Sequence, residues 1–199
     1  MGSLRAYLVF GGSTVDSVRG DGDGWVVADT GARFWGRFGA AGLLLRAPLA
    51  SGQPAVLLQH RAWWSHQGGT WALPGGARDS HESAEQAAVR EAAEEAGIEP
   101  GAMTIRSSVV TKRIDGQAHW TYTTVVADAP ELLPTEANHE STELRWVPEE
   151  KIEGMRLHPG FKSAWPLLRV VATLQGTSNG FSGPGTVELE PGRFAWQLP

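Results

Sequence analysis

The chain of 199 residues contains no cysteine, no long run of apolar residues and no block rich in lysine or arginine. The lack of cysteine excludes disulfide bonds, thiolate metal sites and thiol catalysis. The lack of an apolar run of about eighteen residues excludes a membrane-spanning helix. Because the net charge is −5, the chain also lacks the cationic surface that tight non-specific binding of duplex nucleic acid requires.

The first residues, Met1 to Leu4, do not form a basic stretch followed by a long apolar segment. We therefore expect no secretory signal, and together with the missing cysteines this indicates a cytoplasmic protein. The length suits one domain, and the hydrophobic content of 41% is that of a globular chain.

Composition divides the chain into three parts. Residues 1–20 are weakly patterned, and we expect a flexible N-terminal segment. Residues 21–175 are expected to form the folded domain and to begin with a hairpin over residues 25–36. Residues 176–199 start rich in Gly, Ser and Thr and end with alternating apolar residues, which predicts a linker and a closing hairpin. This second hairpin would pair with the first one or with a second subunit in a homodimer.

Segments rich in β-branched and apolar residues predict the strands of the folded domain. They lie at residues 40–46, 55–60, 104–111, 120–127 and 143–147. Pro148 is expected to open a short helix, since proline suits the first helical position. A further helix, preceded by His158-Pro159-Gly160-Phe161, is predicted to run through Ala172, and Pro166 should cause a kink or a late start in it.

The segment from Gly76 to Ile98 carries the densest pattern of the chain. Residues 83–96 contain no Pro or Gly and are rich in Ala and Glu, which predicts a helix over this range. Asp79 and Ser80 are candidate N-caps for this helix. Gly97 follows it, at the position where a left-handed residue commonly ends a helix.

Three acids of this helix, Glu91, Glu94 and Glu95, are spaced three and four residues apart and therefore project from one side. Carboxylates so crowded repel one another and need compensating charge. Arg90 and Arg78 can supply part of it, whereas a hard divalent cation such as Mg²⁺ supplies far more and keeps waters that a phosphate can replace. The alternative interpretation is a solvated glutamate-rich helix face.

The fixed residues of the segment follow one spacing: Gly76, five residues, Glu82, seven residues, Arg90-Glu91-Ala92, one residue, Glu94-Glu95, one residue and Gly97-Ile98. This spacing resembles the Nudix box at every fixed position. The resemblance covers about residues 40–165 and implies an α/β fold, the Nudix α/β/α sandwich with a mixed central β-sheet. It also implies a Mg²⁺-dependent hydrolase, with Mn²⁺ as a substitute ion, in which water attacks a pyrophosphate linkage joined to a nucleoside.

The same resemblance implies roles for single residues. The metal ligands and catalytic acids would be Glu91, Glu94 and Glu95. The carbonyl of Gly75, in the tight Gly75-Gly76 turn before the helix, would complete the metal shell. Glu82 would be an outer acid of the metal site, and Arg90 would orient the glutamates for catalysis.

The Nudix box does not fix the general base, which in this family is a box glutamate or an acid on a distant loop. Glu140 is the first distant candidate, because it lies six residues before Trp146, and Glu143 is the second. Either residue could instead be an ordinary acid of a surface loop.

Candidate substrate contacts are Arg78, Glu143 and two histidines. His66 belongs to an expected exposed loop over residues 63–70 near the active site, where it could contact phosphate or base. His158 could contact the base or the ribose. The alternative for both histidines is a purely structural role. Most of the nine tryptophans are expected in the core or at interfaces, with some left to stack on a nucleobase.

The segments Gln59-His60-Arg61 and Glu143-Leu144-Arg145-Trp146-Val147 favour a MutT-type member of the family. Substrates of that type include oxidised purine nucleotides such as 8-oxo-dGTP. An alternative within the class is a pyrophosphatase of ADP-ribose or another nucleoside diphosphate-sugar. A second alternative, a noncatalytic nucleotide-binding sensor, is disfavoured because all fixed acids of the box are present.

Overall fold

The computed structural model of the protein describes residues 20–116, 119–176 and 185–187. The predicted flexible segment over residues 1–20 and the predicted C-terminal linker and hairpin over residues 176–199 therefore lie almost entirely outside the described residues. Within the described ranges, no helix is both long enough and apolar enough to cross a membrane.

The described chain opens with a short antiparallel hairpin. Strand β1 (Trp25–Val27) pairs with β2 (Arg33–Trp35), so that Trp25 stands opposite Trp35. In the connecting turn, Gly31 adopts a φ of 80°, a left-handed conformation that glycine takes without steric cost. These strands correspond to the hairpin expected from the sequence.

A larger mixed sheet forms the centre of the molecule. Its strands are β3 (Ala40–Pro48), β4 (Pro54–Arg61), β5 (Trp71–Ala72), β6 (Gly75–Ala77), β7 (Thr104–Ile114), β8 (Trp120–Asp128), β9 (Ser141–Pro148) and β10 (Gly185–Val187). They follow the order β10-β7-β8-β3-β4-β5, with β6 paired to β3 and β9 paired to β4. Since β3 runs parallel to β8 but antiparallel to β4, the sheet is mixed.

Helices cover both faces of this sheet. They are α1 (Ala84–Ala96), α2 (Glu149–Ile152) and α3 (Pro159–Gly176). Successive side chains of a strand point to opposite faces, and in β3 the leucines Leu43 and Leu45 pack with the alanines of α1. Leu44, between them, packs on the other face with Trp165 and Leu168 of α3. The predicted α/β/α sandwich with a mixed sheet is therefore confirmed.

Helix α1 agrees with the predicted range of residues 83–96, but neither Asp79 nor Ser80 is its N-cap. Its N-cap is Ser83, whose side chain accepts a hydrogen bond from the Gln86 N–H, while the Gln86 side chain accepts one from the Ser83 N–H. This reciprocal arrangement is a capping box. At the other end, Gly97 has a φ of 67° and closes the helix in the left-handed conformation expected there.

The late start that Pro166 predicted for the last helix is wrong. Helix α3 begins at Pro159 and continues through Pro166. Both Pro166 and Lys162, the residue one turn earlier, are exposed. The carbonyl that loses its helical donor therefore faces water, which can replace the missing hydrogen bond.

Candidate active site

The backbone of β6 runs directly beside helix α1, and glycine makes this approach possible. A Cβ on Gly76 would lie 2.5 Å from Oε1 of Glu91, far inside the normal contact distance. Gly75 pairs with Gly42 of β3, and a Cβ on Gly75 would collide with the carbonyl of Ala41. The two glycines therefore allow the main chain to lie against the carboxylates of the helix.

Glu95 is the most enclosed acid of the site, with 3% of its surface exposed. Its Oε2 accepts hydrogen bonds from the Gly75 N–H at 2.7 Å and from Nε2 of Gln59 at 3.1 Å. Burial first and then the neighbouring charge of Glu91 raise the pKa of Glu95, to about 8, against the opposing effect of the Gly75 N–H. The fold thus holds a carboxyl group in a place that resists its ionisation.

Gln59 connects this acid to a distant strand. The amide is fully buried on β4, and its Nε2 also donates to the carbonyl of Leu73 at 3.2 Å. Its Oε1 accepts a hydrogen bond from Oγ of Ser141 at 2.6 Å. A continuous buried chain, Ser141 to Gln59 to Glu95, therefore fixes the orientation of the Glu95 carboxylate.

Glu91 lies next to Glu95 on the same face of α1 and is paired with Arg90. Nη1 of Arg90 donates to Oε1 of Glu91 at 2.9 Å. Burial raises the pKa of Glu91 to about 7, while the adjacent Arg90 charge and hydrogen bond act against this rise. One guanidinium contact is therefore insufficient to offset the burial of this carboxylate.

Glu82 is bound to the same guanidinium in a different way. Nε and Nη2 of Arg90 donate to the two oxygens of Glu82 at 2.7 and 2.9 Å, and Nη2 also donates to the carbonyl of Ala77 at 2.9 Å. The hydrogen bonds from Arg90 hold the pKa of Glu82 below its ordinary value. Those with Glu82 raise the pKa of Arg90, so this pair stays ionised.

The arrangement fits a hard divalent cation. Glu95 offers buried and Glu91 partly buried carboxylate oxygens. Glu94 adds a carboxylate whose side chain is 55% exposed, 3.6 Å from Nη1 of Arg90. Oxygen ligands of this kind are those that Mg²⁺ and Mn²⁺ take. A cation would also supply the compensating charge that Glu91 and Glu95 lack, because their pKa values show that the surrounding protein does not supply it.

Of the two distant acids, the structure brings Glu140 towards the helix carboxylates. Its charge contributes to the raised pKa values of both Glu91 and Glu95. The loop that carries it is tied to α1, because Nδ2 of Asn138 donates to the carbonyl of Glu94 at 3.2 Å and Oδ1 of Asn138 accepts the Glu140 N–H at 2.8 Å.

Glu143 is held elsewhere. It lies on β9 opposite His60 and accepts a hydrogen bond from Nε of Arg145 at 2.8 Å. Glu140 and Glu143, the two candidate general bases, therefore have different surroundings in the structure.

The two candidate histidines lie next to each other. The ring centres of His66 and His158 are 6.4 Å apart, and the carbonyl of His66 accepts a hydrogen bond from Nε of Arg61 at 3.1 Å. Burial lowers the pKa of His158 to about 4, and the charges of Arg61 and His66 act in the same direction. His158 is therefore neutral at neutral pH.

Arg78 lies at the opposite end of β6, where the N-terminal hairpin is attached. Its N–H donates to the carbonyl of Gly39 at 3.0 Å, and its Nε is buried without a hydrogen-bond partner among the described residues. Among the described residues, no hydrogen bond joins Arg78 to His66 or His158, and its role in substrate binding stays a prediction.

Beside Arg78, Asp21, Asp79 and His81 offer ligand atoms within 4.8 Å of one another. The two acids already accept hydrogen bonds that hold the hairpin. Asp79 accepts from the Gly22 N–H at 2.8 Å, and Asp21 accepts from the Ser80 N–H at 2.9 Å. These contacts join the start of the described chain to the loop before α1.

Three side chains near the acids were absent from the sequence-based candidates: Gln59, Arg61 and Tyr122. The charge of Arg61 acts on Glu95, lowering its pKa. The pKa of Tyr122 is raised, first by burial and then by the charge of Glu95. A signal for Gln59 existed, because it is a lone amide at the end of the apolar run from Val56 to Leu58 in a predicted strand.

Comparison with known proteins agrees with this geometry. The NUDIX domain model matches residues 37–170. A Mycobacterium tuberculosis protein named "Putative 8-oxo-dGTP diphosphatase 3" is 57% identical over 190 residues, which cover 92% of this chain and 88% of that protein. The crystal structure of the Nudix hydrolase RenU from M. smegmatis matches with 61% identity and a TM-score of 0.75, covering 77% of this chain and 96% of that one.

A more distant structure, a MutT protein from Methanosarcina mazei Go1, is 25% identical with a TM-score of 0.50, over 67% of this chain and 94% of that one. The residues that match the NUDIX domain model contain strands β3 to β9, α1 and the enclosed carboxylates. The family match, the identity to these relatives and the shared fold together establish that the chain belongs to the NUDIX family and is a Nudix hydrolase.

Proposed function

We propose that this hydrolase cleaves nucleoside triphosphates to a nucleoside monophosphate and pyrophosphate, that it requires Mg²⁺, and that oxidised purine deoxynucleotides such as 8-oxo-dGTP are its substrates. The observation that carries the proposal is the pair formed by the buried Glu95 and the partly buried Glu91, two carboxylates with raised pKa values beside a glycine backbone. The substrate class is supported by the name of the Mycobacterium tuberculosis relative at 57% identity.

The residues that would hold the ion are Glu91, Glu94 and Glu95, together with the carbonyl of Gly75. When bound, Mg²⁺ neutralises charge on the phosphates and polarises the linkage that breaks. The protein's contribution is orientation. Both hydrogen bonds to Glu95 fall on Oε2, which leaves Oε1 as the oxygen for a cation.

Arg90 orients the carboxylate of Glu91 in the same way, through a hydrogen bond. It is itself fixed by two hydrogen bonds to Glu82, so it presents Nη1 to Glu91 from a constant position. Glu82 is thus proposed to act through Arg90, as an outer acid.

Glu140 is the proposed general base, which accepts a proton from the attacking water. It lies outside the helix, its side chain is 54% exposed, and its charge reaches both enclosed carboxylates. Exposure gives it access to water, and its attachment to α1 through Asn138 keeps it at the site. Glu143 has a competing partner in Arg145 and is the weaker candidate.

The experiment is a Mg²⁺-dependent hydrolysis panel with product identification, using 8-oxo-dGTP, the ordinary NTPs and dNTPs, ADP-ribose, NADH and diadenosine polyphosphates. Preference for 8-oxo-dGTP with release of pyrophosphate is the expected result. Preference for ADP-ribose, with AMP and ribose 5-phosphate as products, would replace the proposed substrate class by the nucleoside diphosphate-sugar alternative. Glu95→Gln serves as the inactive control, so that a contaminating phosphatase is recognised.

A further inference from the structure

The N-terminal hairpin, strands β1 and β2 with their turn, lies outside the residues that match the NUDIX domain model. It is nevertheless fixed to the catalytic domain at both of its ends. The carbonyl of Trp35 accepts a hydrogen bond from Nε1 of Trp120 on β8 at 3.1 Å. At the other end, the Gly22 N–H donates to Asp79 in the loop before α1. The hairpin is thus held in one position at the edge of the site.

The hairpin contacts the domain through the rings of Phe34, which packs on Trp120, and of Trp25. The ring centre of Trp25 lies 5.8 Å from that of His66, in the loop between β4 and β5. On its own hairpin the ring contacts Trp35 edge-on at 5.2 Å and lies 4.8 Å from the guanidinium of Arg33. Trp25 nonetheless keeps 42% of its surface exposed, which is unusual for so large an apolar side chain with this many contacts.

The contact with His66 continues towards the catalytic acids. His66 is 6.4 Å from His158 by ring centres, and its carbonyl is bound by Arg61. The charge of Arg61 lowers the pKa of both His158 and Glu95, so its guanidinium acts on the histidine and on the enclosed carboxylate alike. Trp25, His66 and His158 therefore form a series of neighbouring rings beside Arg61.

His158 offers a hydrogen-bond donor in this row. The Gly160 N–H donates to Nδ1 of His158 at 3.1 Å. In the neutral imidazole the proton must then reside on Nε2, so the other edge of the ring carries an N–H. A 6-oxopurine base carries an acceptor, O6, that such a donor can bind, in guanine and in 8-oxoguanine alike.

We propose that Trp25, His66 and His158 form the nucleobase subsite of this enzyme, in which the base stacks on Trp25 and accepts a hydrogen bond from Nε2 of His158. The inference rests on the proposed function, because it assumes that the phosphates of the same nucleotide lie at the helix carboxylates. Stacking on an aromatic ring supplies affinity for any base, and the donor favours a base with an acceptor at its edge.

The test compares substrates with and without a base. Steady-state kinetics with Mg²⁺ are measured for dGTP and for base-free 2-deoxyribose 5-triphosphate, and binding of dGMP is measured by calorimetry in EDTA. Trp25→Ala should raise KM for dGTP and weaken dGMP binding by about tenfold, the effect of losing one stacked base. The kcat for dGTP and the kcat/KM for the base-free substrate should stay within about twofold of the wild type.

Two variants serve as controls for Trp25→Ala. Trp25→Phe keeps a stacking ring and should retain most of the affinity for dGMP. Trp63→Ala removes a tryptophan that is 79% exposed and packs on Trp64, so it should behave as the wild type. His158→Phe, which keeps a ring but loses the donor, should raise KM for dGTP several-fold without changing hydrolysis of the base-free substrate.

The proposal is overturned if Trp25→Ala changes both substrates equally, if it leaves dGMP binding unchanged, or if the wild type does not bind dGMP. A wild type that hydrolyses neither of these triphosphates, nor 8-oxo-dGTP, would contradict the proposed function alone. In that case, loss of dGMP binding in Trp25→Ala would still support the subsite, because the calorimetric measurement needs neither metal nor turnover.

Discussion

Arg90 lies between two groups of acidic side chains, Glu82 in the loop before α1 and Glu91 with Glu95 on α1. The two groups differ in how their negative charge is compensated. On one side, Glu82 receives two hydrogen bonds from the guanidinium, and its pKa is lowered. On the other side, Glu91 receives one and Glu95 receives none from any cation, and burial raises the pKa of both. The negative charge of Glu82 is therefore compensated by Arg90. The charges of Glu91 and Glu95 are not fully compensated by the protein, so these two acids suit a bound cation.

The largest loss of kcat should come from neutralising the carboxylates proposed to bind the cation. Glu95→Gln keeps the shape of the side chain but removes the charge that a cation needs, so kcat is expected to fall by about a hundredfold or more. Glu94→Gln should act likewise. The measurement is steady-state hydrolysis of 8-oxo-dGTP at saturating Mg²⁺, and turnover near that of the wild type in both variants would contradict the ligand assignment. Glu131→Gln, which changes an exposed acid, is the control.

The next effect distinguishes the two acids outside the helix. Glu140→Gln should lower kcat by about a hundredfold, the usual scale for a lost general base. Glu143→Gln should change kcat by no more than about twofold, because it disrupts only an exposed pair with Arg145. The same assay applies to both variants. A larger loss in Glu143→Gln than in Glu140→Gln would reverse the assignment of the base.

A smaller loss of kcat should follow from weakening the hydrogen bonds between Arg90 and Glu82. Arg90→Lys keeps the charge but cannot bind both oxygens of Glu82 while reaching Glu91, so Glu91 loses its fixed position. We expect kcat to fall by about tenfold and the half-saturating Mg²⁺ concentration to rise.

The matched control for this variant is Arg106→Lys. Arg106 binds Asp128 at 2.9 Å, but its side chain is 44% exposed and lies away from the acids. An exposed pair of this kind contributes about 1 kcal/mol or less, so activity should not change. Equal losses of kcat in the two variants would indicate that Arg90 acts only through general stability.

The sequence predicted those features of the site that depend on a local residue pattern. Helix α1 and the alignment of Glu91, Glu94 and Glu95 follow from helix propensity and spacing. Gln59 was missed because its partners are distant along the chain, 36 residues away at Glu95 and 82 residues away at Ser141. Alternation in a strand indicates which face a residue occupies, but not that a buried amide meets a carboxylate there.

The N-cap of α1 was mispredicted for a related reason. Asp79 and Ser80 are chemically suitable caps, but the fold uses them to hold Gly22 and Asp21, which lie 57 and 59 residues earlier. Ser83 was then free to form the capping box with Gln86. Competition between a local and a long-range partner for the same side chain is not visible in a local sequence pattern.

The smallest expected effect concerns stability in the absence of metal. Glu91 and Glu95 have folded-state pKa values of about 7 and about 8, above the ordinary value of a glutamate in the unfolded chain. The folded state therefore holds more protons than the unfolded state in this range, and its stability decreases as pH rises. In EDTA, the melting temperature should fall by a few degrees between pH 6.5 and 8.5, a window that begins at the ordinary pKa of His158, 6.5.

Added Mg²⁺ should raise the melting temperature more at pH 8.5 than at pH 6.5, because the ion binds the ionised form of both acids. Glu95→Gln, which has no proton to lose there, should flatten the fall seen in EDTA. A melting temperature that rises with pH in the metal-free wild type would mean that these carboxylates are already compensated by the protein. The difference in charge compensation between Glu82 and the pair Glu91 and Glu95 would then not explain why the site needs a cation.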